Sequence, residues 1–119
     1  MATDQDNEEL EGPAWTKPFL KFLIHETLPQ DADESLRISR RSKAFTIINK
    51  QLYKRSISQV LQKCIDKEDG KALLLEIHEG ICGHHASSRA LVDKPFRAGF
   101  YWLTAMKNAD EIVRRCIAY

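Results

Sequence analysis

The feature that most constrains this chain is a spacing of metal-ligating residue types in its second half. His78-Glu-Gly-Ile-Cys-Gly-His-His85 sets imidazoles at both ends of a Gly-containing loop, and the thiol of Cys116 follows far downstream in Cys116-Ile-Ala-Tyr119. Imidazole nitrogen and thiolate sulfur are the ligands of a tetrahedral zinc site. A long gap between the two halves of such a site is what a helical hairpin leaves when it folds back to close it. A complete set would end Cys-x-x-Cys, whereas the last position here is Tyr119. Taken alone, Cys116 also suits the core side of an apolar helix, and the histidines also suit a polar loop.

The residues around this spacing predict helices. Positions 72–77, apolar but for Glu76, read as a helix that leads into His78, with Asp66-Lys-Glu-Asp-Gly70 ahead of them as a turn cluster. Gly80 and Gly83 let the loop double back. Ser87 or Ser88 can cap a helix that runs to about Arg97. Pro95 is awkward inside it, because it removes a backbone donor and crowds the Leu91 carbonyl, at up to ~3 kcal/mol. Phe100-Tyr-Trp102 is an aromatic cluster. From Thr104 onward, Ala105, Ala109, Ile112, Val113, Cys116 and Ile117 recur at the helical period and place Cys116 on the buried edge. Phe96, Phe100, Trp102, Ile112 and Val113 are the expected core of this half.

The upstream half changes period. Residues 15–28 carry Trp15, Phe19, Leu20, Phe22 and Leu23 at helical spacing, with Pro18 in the first turn and Leu28-Pro29 as the stop. Residues 32–43 follow as a helix whose acidic start (Asp31, Asp33, Glu34) and basic end (Arg37, Arg40, Arg41, Lys43) match the helix dipole. Residues 45–49 and 51–55 are short and β-prone, separated around Asn49-Lys50. A third piece, 58–65, alternates through Val60, Leu61 and Cys64, so a small antiparallel meander is expected.

The fold class expected is therefore mainly α with a small antiparallel β-meander. Charge bears on partners. Residues 1–12 hold five acids and no base, so residues 13–119 keep 18 bases against 12 acids, a net +6. A basic body suits nucleic acid, although charge of this size is also that of a normally solvated surface. No apolar run approaches ~18 residues, so no membrane span is expected. The first residues lack the basic and apolar regions of a signal peptide. Three cysteines, an odd number, point to a reducing, intracellular compartment.

These residues together resemble a known family. His78 to His85, Ser88-Arg89, Arg97-Ala-Gly-Phe-Tyr-Trp102, Asp110 and Val113-Arg-Arg-Cys116 are similar to the zinc-binding N-terminal domain of gypsy-type LTR-retrotransposon integrases. Residues 15–29, Arg37-Ile-Ser-Arg-Arg41, Leu52-Tyr-Lys-Arg-Ser56, Val60-Leu61 and Cys64 resemble the Pol polyprotein segment that precedes it. Residues 1–14, acidic and polar, read as a disordered tail, and the resemblance, which covers residues 15–119, implies a Pol connecting segment of two helices plus a β-meander at 15–65 and an integrase zinc-binding-like domain at 66–119.

The resemblance further implies a small helical unit around one zinc held by His-His-Cys-Cys, with a role in multimerisation and DNA integration and a nuclear site of action. The ligands fall on His78, His85 and Cys116, and the fourth on Tyr119. Phenol is a poor zinc ligand near neutral pH because its pKa is ~10, so weak or absent zinc binding is expected; Cys82 and His84 are candidate substitutes, although Cys82 is not a ligand in the family. Leu103, where the family usually has Pro, and Pro95 are further departures. DNA is the expected partner, through Arg89, Arg97, Arg114 and Arg115, and self-association is a second possibility. No enzyme activity and no small-molecule substrate are expected: the chain has no phosphate-binding Gly loop, no oriented Cys-His pair and no spaced acidic triad. The alternative reading is a host-adapted protein-interaction or oligomerisation domain with Phe100, Tyr101 and Trp102 as its contact patch.

Overall fold

The structure is a computed structural model that describes residues 12–80 and 87–117, with backbone alone at 80, 116 and 117. The acidic lead-in over 1–11, Cys82, His84, His85 and Tyr119 lie outside the described residues. The described chain is mainly helical with a small sheet, and it divides into two compact units, residues 1–64 and 65–119.

In the first unit a 3-10 turn, Ala14–Thr16, leads into α1 (Lys17–His25), with Pro18 in its first turn. The helix ends earlier than Leu28-Pro29 implies. Glu26 adopts a left-handed conformation (φ 57°) and its amide donates to the Phe22 carbonyl at 2.8 Å, which terminates the helix locally. α2 (Ala32–Arg41) starts at Asp31, whose Oδ2 accepts from the Glu34 amide at 2.9 Å. It closes at Arg41, before the expected Lys43, and a 3-10 turn over Ser42–Ala44 carries the chain into the sheet.

β1 (Phe45–Ile48), β2 (Gln51–Arg55) and β3 (Leu61–Cys64) pair antiparallel in sequence order. Asn49 and Lys50 both have positive φ (51° and 66°), the requirement of a two-residue type I′ hairpin turn. β3 is shorter than the expected 58–65 and its phase differs. Val60 and Leu61 are exposed, whereas Gln62 and Cys64 are buried. The register explains this: Tyr53 opposes Lys63 and Arg55 opposes Leu61, so 61 and 63 share the face opposite to buried Leu52. The core joins Phe19 to Phe45 (ring centroids 4.8 Å), with Trp15 edge-on to both, beside buried Leu20, Ile38 and Leu52.

The second unit contains α3 (Lys67–Gly80), α4 (Ser88–Arg97), a two-residue strand β4 (Phe100–Tyr101) and α5 (Ala105–Ile117). The expected turn at 66–70 is instead the first turn of α3. The Gly70 amide donates to the Asp66 carbonyl at 3.0 Å, and Glu68 and Asp69 lie at the positive end of the helix dipole. Gly70 reads as a turn residue, but it is buried. A Cβ added there would overlap Cε2 and Cδ2 of Trp102, so the glycine admits the indole rather than a bend.

Trp102 is 1% exposed, and its Nε1 donates to Asn108 Oδ1 at 2.9 Å; Thr104 Oγ1 donates to the same oxygen at 2.9 Å. Leu74, Leu91, Val92, Ala105 and Ala109 complete this core. Of the residues expected there, Trp102 is central and Phe96 meets it edge-on at 6.1 Å. Phe100, Ile112 and Val113 are only half-buried. α4 is capped by Ser87, whose Oγ accepts from the Ala90 amide at 3.1 Å, and it continues through Pro95. The Pro95 ring is fully buried, so packing offsets the missing backbone hydrogen bond.

Candidate metal centre

The helix that carries His78 and the helix that carries Cys116 both lead away from the Gly70–Trp102 contact. α3 begins three residues before Gly70, and α5 begins three residues after Trp102. α3 also packs against α4 and α5, and α4 against α5. His78 therefore sits near the C-terminal end of α3, and residue 116 in the last turn of α5, each at the end of its helix remote from that contact. The His78 side chain is half-buried.

His85 and Tyr119 lie outside the described residues, and only the backbone of Cys116 is described. Among the described residues, no group of three or more His, Cys, Asp or Glu is arranged to hold a metal. The fit to zinc is thus one of donor chemistry. Two imidazoles and one thiolate suit zinc, and a phenol in place of the second thiolate leaves the set one strong donor short.

Cys64 belongs to the first unit. It is 3% exposed on β3, and burial pushes its thiol from 9.0 up to about 12, with Lys54 acting weakly in the opposite direction. Such a thiol is neutral and behaves as core.

The four expected DNA-contacting arginines are all exposed: Arg89 and Arg97 on α4, Arg114 and Arg115 on α5. Arg97 is not a free cation, because its Nε pairs with Asp93 Oδ2 at 2.7 Å. Arg89, Asp93 and Arg97 follow at i, i+4 and i+8, so an acid lies between the two bases on one helix face. Trp102 also fails as part of an exposed contact patch. It is core, and the Phe96 and Tyr101 rings meet beside it in a tilted contact, centroids 5.6 Å apart. The buried Asn108 was missed from sequence, where its apolar neighbours Ala105 and Ala109 defined the face and an Asn reads as surface.

Comparison with family models, with curated proteins and with solved structures finds no match to this chain. No helix among the described residues is long and apolar enough to cross a membrane.

Proposed function

We propose that this chain is a non-catalytic, nucleic-acid-associated module derived from the Pol polyprotein of a gypsy-type LTR retrotransposon, in which residues 66–119 correspond to the integrase zinc-binding domain. Its inherited role is DNA binding during integration, which implies a nuclear site of action. The observation that supports this reading is the order of features in the second unit. α3 carries the first histidine, His78, in its last turn, the Ser87-capped α4 begins shortly after the sequence position of His85, and α5 carries residue 116 in its final turn. His78, His85 and Cys116 would hold the metal, and the Tyr119 position weakens the site rather than creating an open catalytic one. Zinc in such a domain supplies folding energy.

A rescue experiment tests the ligand set. The purified chain and a Tyr119→Cys variant are titrated with zinc while helicity, melting temperature and bound metal are followed. The native chain should bind zinc weakly, and Tyr119→Cys should bind it tightly, one to one, with a marked rise in melting temperature. His78→Ala in that background should abolish the gain. If Tyr119→Cys takes up no more zinc than the native chain, this assignment of ligands is wrong.

A further inference from the structure

The chain's charge is divided unequally between its two units. Residues 65–119 carry eight bases and eight acids, so the integrase-like unit is balanced, while residues 13–64 carry ten bases and four acids. The excess is concentrated further. Residues 35–65 hold eight of the chain's 18 Lys and Arg and none of its 17 Asp and Glu.

That stretch is the end of α2 and the whole meander. Strand pairing sorts the meander's side chains into two faces. Phe45, Leu52 and Cys64 are buried on the inner face, which Phe19 of α1 covers. The outer face carries a cross-strand row, Thr46–Tyr53–Lys63, with Arg55 two residues along β2 from Tyr53. Arg55 and Lys63 are exposed and Tyr53 is half-exposed. Among the described residues, neither Arg55 nor Lys63 is in a salt bridge.

We propose that this outer face binds single-stranded nucleic acid, with Tyr53 as the ring on which a base stacks and with Lys63 and Arg55 contacting the flanking phosphates. The chemistry follows from the arrangement. This sheet face carries the half-exposed phenol of Tyr53, and a cation, Lys63, lies directly across the ladder from it. A second cation of the same sign lies about two residues, roughly 7 Å, along the strand. A single strand presents an unstacked base and phosphates at comparable spacing, whereas duplex bases are stacked inward and cannot reach a flat sheet. The lack of any carboxylate over residues 35–65 removes the repulsion that would oppose a polyanion. The proposal rests on the nucleic-acid reading for its class of partner, but not on the zinc ligands or on the arginines of α4 and α5.

The test uses the full chain and fluorescence anisotropy. Probes are a labelled single-stranded oligonucleotide, the same sequence as a duplex, and vesicles of phosphatidylcholine with phosphatidylserine. The single strand should bind more tightly than the duplex. Tyr53→Leu should weaken it about tenfold, Tyr53→Phe should leave it unchanged, and Arg55→Gln with Lys63→Gln should lower the salt slope by about 1.4. These last two residues are exposed, so that pair keeps the test decisive if Tyr53→Leu unfolds.

Tighter duplex binding, lost on neutralising Arg89, Arg97, Arg114 and Arg115 but unaffected at Tyr53, would overturn this proposal and leave the DNA-binding reading standing. Binding to the anionic vesicles alone would overturn both, as would no binding to any probe.

Discussion

Gly70 on α3 and the indole of Trp102 are in contact with no side chain between them, backbone against ring. A Cβ at Gly70 would overlap Cε2 and Cδ2 and lie 2.7 Å from Cζ2. Gly70→Ala tests two opposed effects. Alanine favours a helix by ~1 kcal/mol over glycine, while forcing a methyl against a rigid, fully buried ring costs typically ~1–3 kcal/mol and sometimes more. The clash should win, because the indole cannot retreat without breaking its bond to Asn108. We expect net destabilisation of about 1–2 kcal/mol, read as a lower urea midpoint. An unchanged or higher midpoint would show that the helices part easily here.

Asn108 accepts from both Trp102 Nε1 and Thr104 Oγ1 through a single buried oxygen. Asn108→Leu removes that acceptor and leaves the indole N–H buried and unsatisfied, at roughly 1–3 kcal/mol. Trp102→Phe in the Asn108→Leu background deletes the orphaned donor, so the two losses should fall short of additive. A double-mutant cycle in urea measures the coupling, and strict additivity would mean that the hydrogen bond contributes nothing.

Cys64 sets an upper pH limit on the first unit. Its thiol is held neutral by burial, at about 12 against an ordinary 9.0. A group raised in the folded state contributes its full stability below the unfolded value and loses it as pH climbs towards the folded one. Stability should therefore decline from about pH 9 upward, and Cys64→Ala should flatten that decline. A thiol reagent at neutral pH should label Cys64 only after denaturant is added.

Lys50 is strained for a different reason. With φ at 66° it occupies the second central place of the Asn49–Lys50 turn, where glycine is preferred. Lys50→Gly removes a left-handed cost of ~1–2 kcal/mol and adds an entropic cost of ~0.5–1 kcal/mol. A gain of about 0–1.5 kcal/mol is expected, visible as a small rise in melting temperature. A loss would show that the lysine side chain makes a contact worth more than the strain.

Periodicity in the sequence revealed the helices and the meander, because each depends on local pattern. The failures came where a distant residue decided the outcome. Asp66 to Gly70 has the composition of a turn, and Trp102, over thirty residues on, makes its glycine a helix residue. Val60 and Leu61 are the more apolar pair, yet the register with β2 turns Gln62 and Cys64 inward, which no local count reveals. Glu26 stops α1 ahead of Pro29 through a left-handed cap that its residue type does not advertise. For the candidate centre, the sequence supplied residue types and spacing, and the fold adds the helix ends on which His78 and Cys116 lie. The charge imbalance between the units was present in the sequence throughout, but it acquired meaning only once the two units and the strand faces were defined.

The chain's two tryptophans fall one to each unit, Trp15 half-buried against Phe19 and Phe45, and Trp102 sealed beside Gly70. Intrinsic emission can therefore be assigned without labels. Trp15→Phe leaves a blue-shifted signal from residues 65–119 alone, and Trp102→Phe leaves one from the meander side. Ligand-induced changes, whether from zinc or from an oligonucleotide, then carry their own address.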